Sequence, residues 1–174
     1  MTYVLILGGL DLSVGSNIAL SGIITTLLLQ KGWVGVPLAI SIGLGMSFLI
    51  GAINGAVIVR YRINPFIVTL GMMSLARGAA MVLTSGYFVT SLPQSFLIIG
   101  RGEVMGIPFP VIASVLISIV LDFLLKNWVS LNRAFLVGAN PDYAELLGIN
   151  VKRTVFLGFA LCGLLSGVSA IFMC

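Results

Sequence analysis

The chain has few side chains that could do chemistry, and each is set among apolar neighbours. Asp11 lies in the run Gly8-Gly9-Leu10-Asp11-Leu12-Ser13-Val14-Gly15-Ser16, with Asn17 directly after it. Glycines at this density break a helix, and Ser13 is of a type that caps a new one. At membrane depth such a break survives only where protein or a watery cavity satisfies the freed backbone groups. Asp11, Ser13 and Asn17 are therefore candidate polar contacts on a solute route. The alternative is an interfacial loop in which Asp11 merely caps the helix that follows. Arg77 stands within Ile67-Val68-Thr69-Leu70-Gly71-Met72-Met73-Ser74-Leu75-Ala76-Arg77-Gly78. An arginine at the centre of a spanning helix costs about 2.5–3.5 kcal/mol, so it is expected to face the bundle interior or snorkel outward. Thr69, Met73, Arg77 and Ala80 share one helical face. Thr69 and Arg77 are candidates for the same route, or Arg77 partners Asp11. The competing reading makes Arg77 a structural residue bonding backbone carbonyls.

Other chemistries are excluded by composition. The chain has no histidine, so imidazole catalysis and His-ligated metals are absent, and Cys162 and Cys174 lack redox or zinc spacing. No G-x-x-x-x-G-K-[ST] phosphate cradle occurs, so the chain is not itself an ATPase. The nine basic residues form no stripe of the kind that tracks nucleic acid.

The elements that must hold these residues follow from hydropathy. Of 174 residues, 59% are hydrophobic and 8% charged, with a mean hydropathy of +1.20. A soluble domain carries roughly 45–50% apolar and about 25% charged residues, so the solvent for this surface is lipid. Charge-free stretches at 12–30, 32–59, 104–121 and 154–174, and a stretch at 63–100 interrupted only by Arg77, predict spans near 13–30, 36–59, 66–83, 108–125 and 154–174. Residues 1–10 read as the end of a further apolar helix, not as a signal peptide. The expected fold is all-α: a polytopic transmembrane bundle of about five spans plus a partial N-terminal one, forming one domain over 1–174. Arg60, Arg62, Lys126, Arg133, Lys152 and Arg153 lie in alternate loops, against Lys31 and Arg101 in the others. By the positive-inside rule, 60–65 and 126–153 are cytoplasmic and 31–35 and 84–107 face out.

Small residues mark the packing faces. Ala39, Gly43, Ser47, Gly51 and Gly55 recur every four residues, and Cys162, Ser166, Ala170 and Cys174 repeat the device. That spacing lets helix backbones approach closely in lipid, whether the surface slides or stays fixed. In the loop at 126–153, Asn140 is a good N-cap, Pro141 a good first helical residue and Gly148 a natural terminator. A two-turn helix there is too short to stand alone in water. It must dock on its own protein or on a cytoplasmic partner.

The runs GGLDLSVGSNIALSG, NPFIVTLGMMSLARGAAMVLTSG and FLVGANPDYAELLGINV resemble, in this order and with similar spacing, signature stretches of the permease subunits of simple-sugar (ribose/xylose/galactose-type) ABC importers. The resemblance implies a multi-pass protein of the bacterial cytoplasmic (inner) membrane that conducts a neutral sugar. It implies three partners besides the lipid bilayer: a cytoplasmic ABC ATPase subunit, a periplasmic or lipoprotein sugar-binding protein, and a second permease copy in a homo- or heterodimer. ATP and magnesium would belong to the ATPase, with no cofactor in this chain. The 140–148 helix would be the coupling helix, with Asn140, Pro141, Tyr143, Ala144, Glu145, Leu147 and Gly148 as its docking residues. The first two runs would lie near the solute route. One departure is the Gly-Arg pair usual before the coupling loop, which here reads Leu131-Asn132-Arg133. The resemblance further implies a piece of a longer permease, lacking both ends. Two other readings stay open: an ion-coupled secondary transporter, for which Asp11 is the only candidate carboxylate, and a non-transporting membrane scaffold or fragment.

Overall fold

A computed structural model describes the chain except Phe88, Thr90, Ser91, Met105 and Trp128, with the backbone alone at Val104, Val129 and Ser130. In order, the elements are α1 (Thr2–Ile6), α2 (Val14–Gln30), α3 (Val36–Tyr61), α4 (Pro65–Thr84), α5 (Gln94–Arg101), β1 (Glu103–Val104), β2 (Ile107–Pro108), α6 (Phe109–Asn127), α7 (Val129–Ala139), α8 (Pro141–Leu146) and α9 (Val151–Met173). The five spans expected from charge-free intervals correspond to α2, α3, α4, α6 and α9. Four of these, α3, α4, α6 and α9, are long and apolar enough to cross a membrane, while α2 is apolar but shorter. Residues 88, 90, 91 and 105 of the loop assigned outward, and 128 of the loop assigned inward, lie outside the described residues.

Local signals set the ends of these helices. α3 stops where Arg62 turns left-handed (φ 53°), and α4 starts at Pro65 with the Asn64 side chain accepting from the Phe66 N–H at 2.9 Å. The two helices are thus joined by a turn of three residues. The stretch 126–153 is more ordered than a loop. It opens with the last turn of α6, where Lys126 donates to Asp122 at 2.8 Å in the favourable i,i+4 order. It then holds α7, which the polar Asn132 and Arg133 hid from a hydropathy reading, before α8.

The core is the crossing of α3 and α9, against which α2 packs, with α4 laid on α2. Gly43, Ser47, Gly51 and Gly55 are all buried on α3, and Cys162, Gly163, Ser166, Gly167 and Ala170 on α9. The helices meet at Gly51 and Gly163. A Cβ on Gly163 would stand 2.6 Å from the Ser47 carbonyl oxygen and 2.8 Å from the Gly51 Cα. Neither backbone can move aside, so both positions require glycine. The Ser47 hydroxyl then donates to the Gly163 carbonyl at 2.6 Å across the interface. α6, by contrast, buries no residue, and its apolar side chains remain on the outside of the bundle.

Gly163→Val is expected to lower stability by about 1–3 kcal/mol, the cost of overpacking. Gly45→Ala, on the same helix as Gly51 but with nothing within 4 Å, is expected to gain up to about 1 kcal/mol from helix propensity. Thermal unfolding of the two variants in detergent checks this contrast; equal midpoints would show that the crossing is not close-packed.

Candidate functional site

The break between α1 and α2 is built into the protein. Its first amides stay bonded, Gly8 N–H to the Leu5 carbonyl at 2.9 Å and Gly9 N–H to Val4 at 3.0 Å. Asp11 Oδ1 then accepts from both the Ser13 N–H (2.9 Å) and the Ser13 hydroxyl (2.6 Å). Asn54 on α3 donates to the Ser13 oxygen at 3.0 Å. From α4, the Thr69 hydroxyl donates to the Leu10 carbonyl at 3.1 Å, and Asn17 on α2 donates to the Ser47 carbonyl at 3.2 Å. All five polar side chains are at most 4% exposed. The structure therefore brings Asp11, Ser13, Asn17 and Thr69 together as one latch over α2, α3 and α4. Ser13 stands at the N-cap position of α2 as expected but makes no side-chain cap bond: its backbone is already helical (φ −75°, ψ −13°), and its oxygen accepts from Asn54 instead.

Arg77 lies apart from this latch. The buried face of α4 is Thr69, Ala76 and Ala80, and the rotation of about 100° per residue turns Arg77 off it. Of the two placements expected for Arg77, the bundle interior is not the one found: Arg77 is exposed. Nor does it pair with Asp11, since the one ion pair among the described residues is Asp122–Lys126. Arg77 instead borders an open cavity of about 890 Å³ between α2, α4, the end of α9 and the residues Gly86, Tyr87, Val89 and Leu92. None of Asp11, Ser13, Asn17 or Thr69 lines that cavity, whereas Ser16 does.

Hydropathy reading missed two polar residues, Asn54 and Ser16. Asn54 had a signal: it is the only amide in the charge-free run 32–59, and it falls two helical turns beyond Ser47 on the same face. Ser16 had none beyond its place in a polar run. Both leave an atom without a hydrogen-bond partner, Ser16 Oγ and Asn54 Oδ1, as does Asn17 Oδ1.

The short helix α8 is formed as its capping residues dictate. Asn140 Oδ1 accepts from the Tyr143 N–H at 3.0 Å, and the chain leaves the helix at Gly148 with φ +75°. Ala144 is fully buried beside Val137 and Ile149, so it seats the helix on α7 and α9 and does not face outward. Every other residue from Asn140 to Gly148 is exposed, with Tyr143, Leu146 and Leu147 as the large apolar ones. Leu146, absent from the expected docking set, is 85% exposed.

Four long apolar helices and a shorter one define a polytopic helical membrane bundle. Residues 1–174 match the family described as branched-chain amino acid transport system / permease component, and the chain belongs to that family. It is similar to the L-arabinose ABC transporter permease protein AraH of Azospirillum brasilense, at 35% identity over 99% of this chain and 51% of that protein. It is also similar to the ribose import permease protein RbsC of Bacillus subtilis (37%, over 97% and 53%) and to the autoinducer 2 import system permease protein LsrD of Escherichia coli K12 (34%, over 99% and 54%). The chain thus spans about half the length of the curated relatives it matches. No solved structure matches it.

Removing the latch acceptor in Asp11→Ala is expected to cost about 1.5–3 kcal/mol, the range for hydrogen bonds to a charged group. Asp11→Asn keeps an acceptor oxygen and is expected to lose about half as much or less. Thermal unfolding of the two variants separates a latch from a residue whose carboxylate is free; indistinguishable losses would argue against the latch.

Proposed function

We propose that this chain is membrane-spanning permease of an ABC importer that carries a simple sugar across the bacterial inner membrane. ATP would be hydrolysed, with its magnesium, on a separate cytoplasmic subunit. A periplasmic or lipoprotein binding protein would deliver the sugar, and a second permease copy would complete the route. The observation that carries the solute class is similarity along the whole chain to permeases named for arabinose and ribose. Coupling is supported by α8. A helix of six residues gains its stability from what it rests on, and α8 rests on Ala144 while holding Leu146 and Leu147 outward. Apolar side chains on a loop between two basic-flanked spans suit a groove on a partner.

Ion-coupled secondary transport fits less well. It needs an intramembrane carboxylate free to bind and release an ion, and Asp11 Oδ1 already holds two bonds from Ser13. The remaining acidic residues, Glu103, Asp122, Asp142 and Glu145, are exposed outside the helical core.

Leu146→Asp is expected to leave the subunit at normal level in the membrane while sugar uptake falls about tenfold or more, as for loss of an interface anchor of 1.4 kcal/mol or above. Ala144→Asp buries a carboxylate and is expected to lower the level of the protein itself. Uptake and immunoblotting in membrane vesicles check both, and normal uptake by Leu146→Asp would remove α8 from the coupling surface.

A further inference from the structure

An arginine within a spanning helix persists where its donors have a use. Arg77 makes no hydrogen bond or ion pair to any described residue, so all five guanidinium N–H donors are available. It stands seven residues before the end of α4 at Thr84, about 10 Å along the axis, on the wall of the cavity of about 890 Å³. By the placement of basic loops, that end of α4 is the outward one.

Ser16 also lines this cavity, with its hydroxyl oxygen just behind the wall. The Ser16 hydroxyl is buried at 3% exposure and has no partner. Ser21, Thr25 and Thr26, further along α2, return their hydroxyls to carbonyls four residues back. Ser16 sits in the first turn, without an intrahelical carbonyl behind it. Thr26 and Thr84 also border the cavity and donate to Gly22 and Ala80, which leaves their oxygens as acceptors. None of the five acidic residues borders it.

The geometry points to a binding station for a polyhydroxylated, uncharged or anionic small solute, with Arg77 donating to its hydroxyl oxygens and Ser16 contacting it at the inner end of the cavity. This inference rests on the reading of the chain as a sugar permease and names the residues that would discriminate. A cationic guanidinium with no compensating carboxylate repels a protonated amine, so amino sugars are excluded. Hydroxyl acceptors and apolar walls from Ile18, Ala19 and Ile23 suit the mixed surface of a sugar ring.

The test is protection of Arg77 from phenylglyoxal in the purified transporter complex, read by mass spectrometry, with D-ribose, D-glucose, myo-inositol, glycerol 3-phosphate and D-glucosamine as probes. At least one uncharged or anionic probe is expected to slow modification of Arg77 about tenfold at ten times its half-protecting concentration. Arg60 and Arg62, at the opposite end of α4, are expected to be unaffected, and D-glucosamine is expected not to protect. Ser16→Ala is expected to keep or raise thermal stability, since it removes an unsatisfied buried hydroxyl, while moving half-protection to about tenfold higher concentration. No protection by any probe, or equal protection by D-glucosamine, would overturn the station. Unchanged half-protection in Ser16→Ala would remove Ser16 from it. Uptake of the same probes into vesicles is read separately: protection without uptake would leave the station and remove the import reading, and uptake without protection would remove the station alone.

Discussion

Backbone and side-chain polar groups taken out of water must be bonded within the protein, and the chain breaks its helix between Ile6 and Val14 with Asp11 and Ser13 buried. The rest of the core is arranged around that constraint. Asp11 takes the Ser13 amide and hydroxyl, Thr69 takes the Leu10 carbonyl, and Asn54 reaches over from α3 to the same Ser13 oxygen. Each of these bonds also ties α2 to a neighbouring helix or orders the turn that starts it. A buried carboxyl group is accommodated in this setting because adjacent donors at short distance use its acceptor capacity. Without them it would be a buried polar group with no compensation.

The close crossing of α3 and α9 makes this latch possible. Two glycines remove the side chains that would hold the helices apart, and the Ser47 hydroxyl closes the gap on the Gly163 carbonyl. Asn17 then bonds the carbonyl of that same Ser47, so the latch and the crossing share a residue. α4 leans on this unit through Thr69, Ala76 and Ala80, and its remaining faces are open to the cavity or to the bundle exterior. The polar work is thus divided: buried side chains hold the bundle together, and Arg77 and Ser16 are left to the cavity.

Much of this was legible in the sequence, at the level of elements. Charge-free intervals are a direct consequence of the cost of charge in lipid, so they located α2, α3, α4, α6 and α9, and small residues at every fourth position marked the packing faces of α3 and α9. Asn140 and Gly148 marked α8 because capping is local chemistry. Partners were not legible, because periodicity tells which residues share a face and not what that face meets. Ser13 stands at the N-cap of α2, yet its hydroxyl bonds Asp11 and Asn54 and not the helix; Ala144 looked like a docking residue, yet it is the buried side of α8; Arg77 could have turned inward or outward, and it lies off the buried face of α4. α7 escaped notice because Asn132 and Arg133 lower its hydropathy, although Ala134 and Val137 on it are buried.

Hydrogen–deuterium exchange of the protein in lipid nanodiscs tests the central claim most directly. If the 8–16 segment is a latched turn inside the bundle, its amides, including that of Ser13, exchange as slowly as those near Gly51 at the α3–α9 crossing. Exchange as fast as in the exposed turn at 31–35 would contradict the account, since it would place the break at the water interface with Asp11 free.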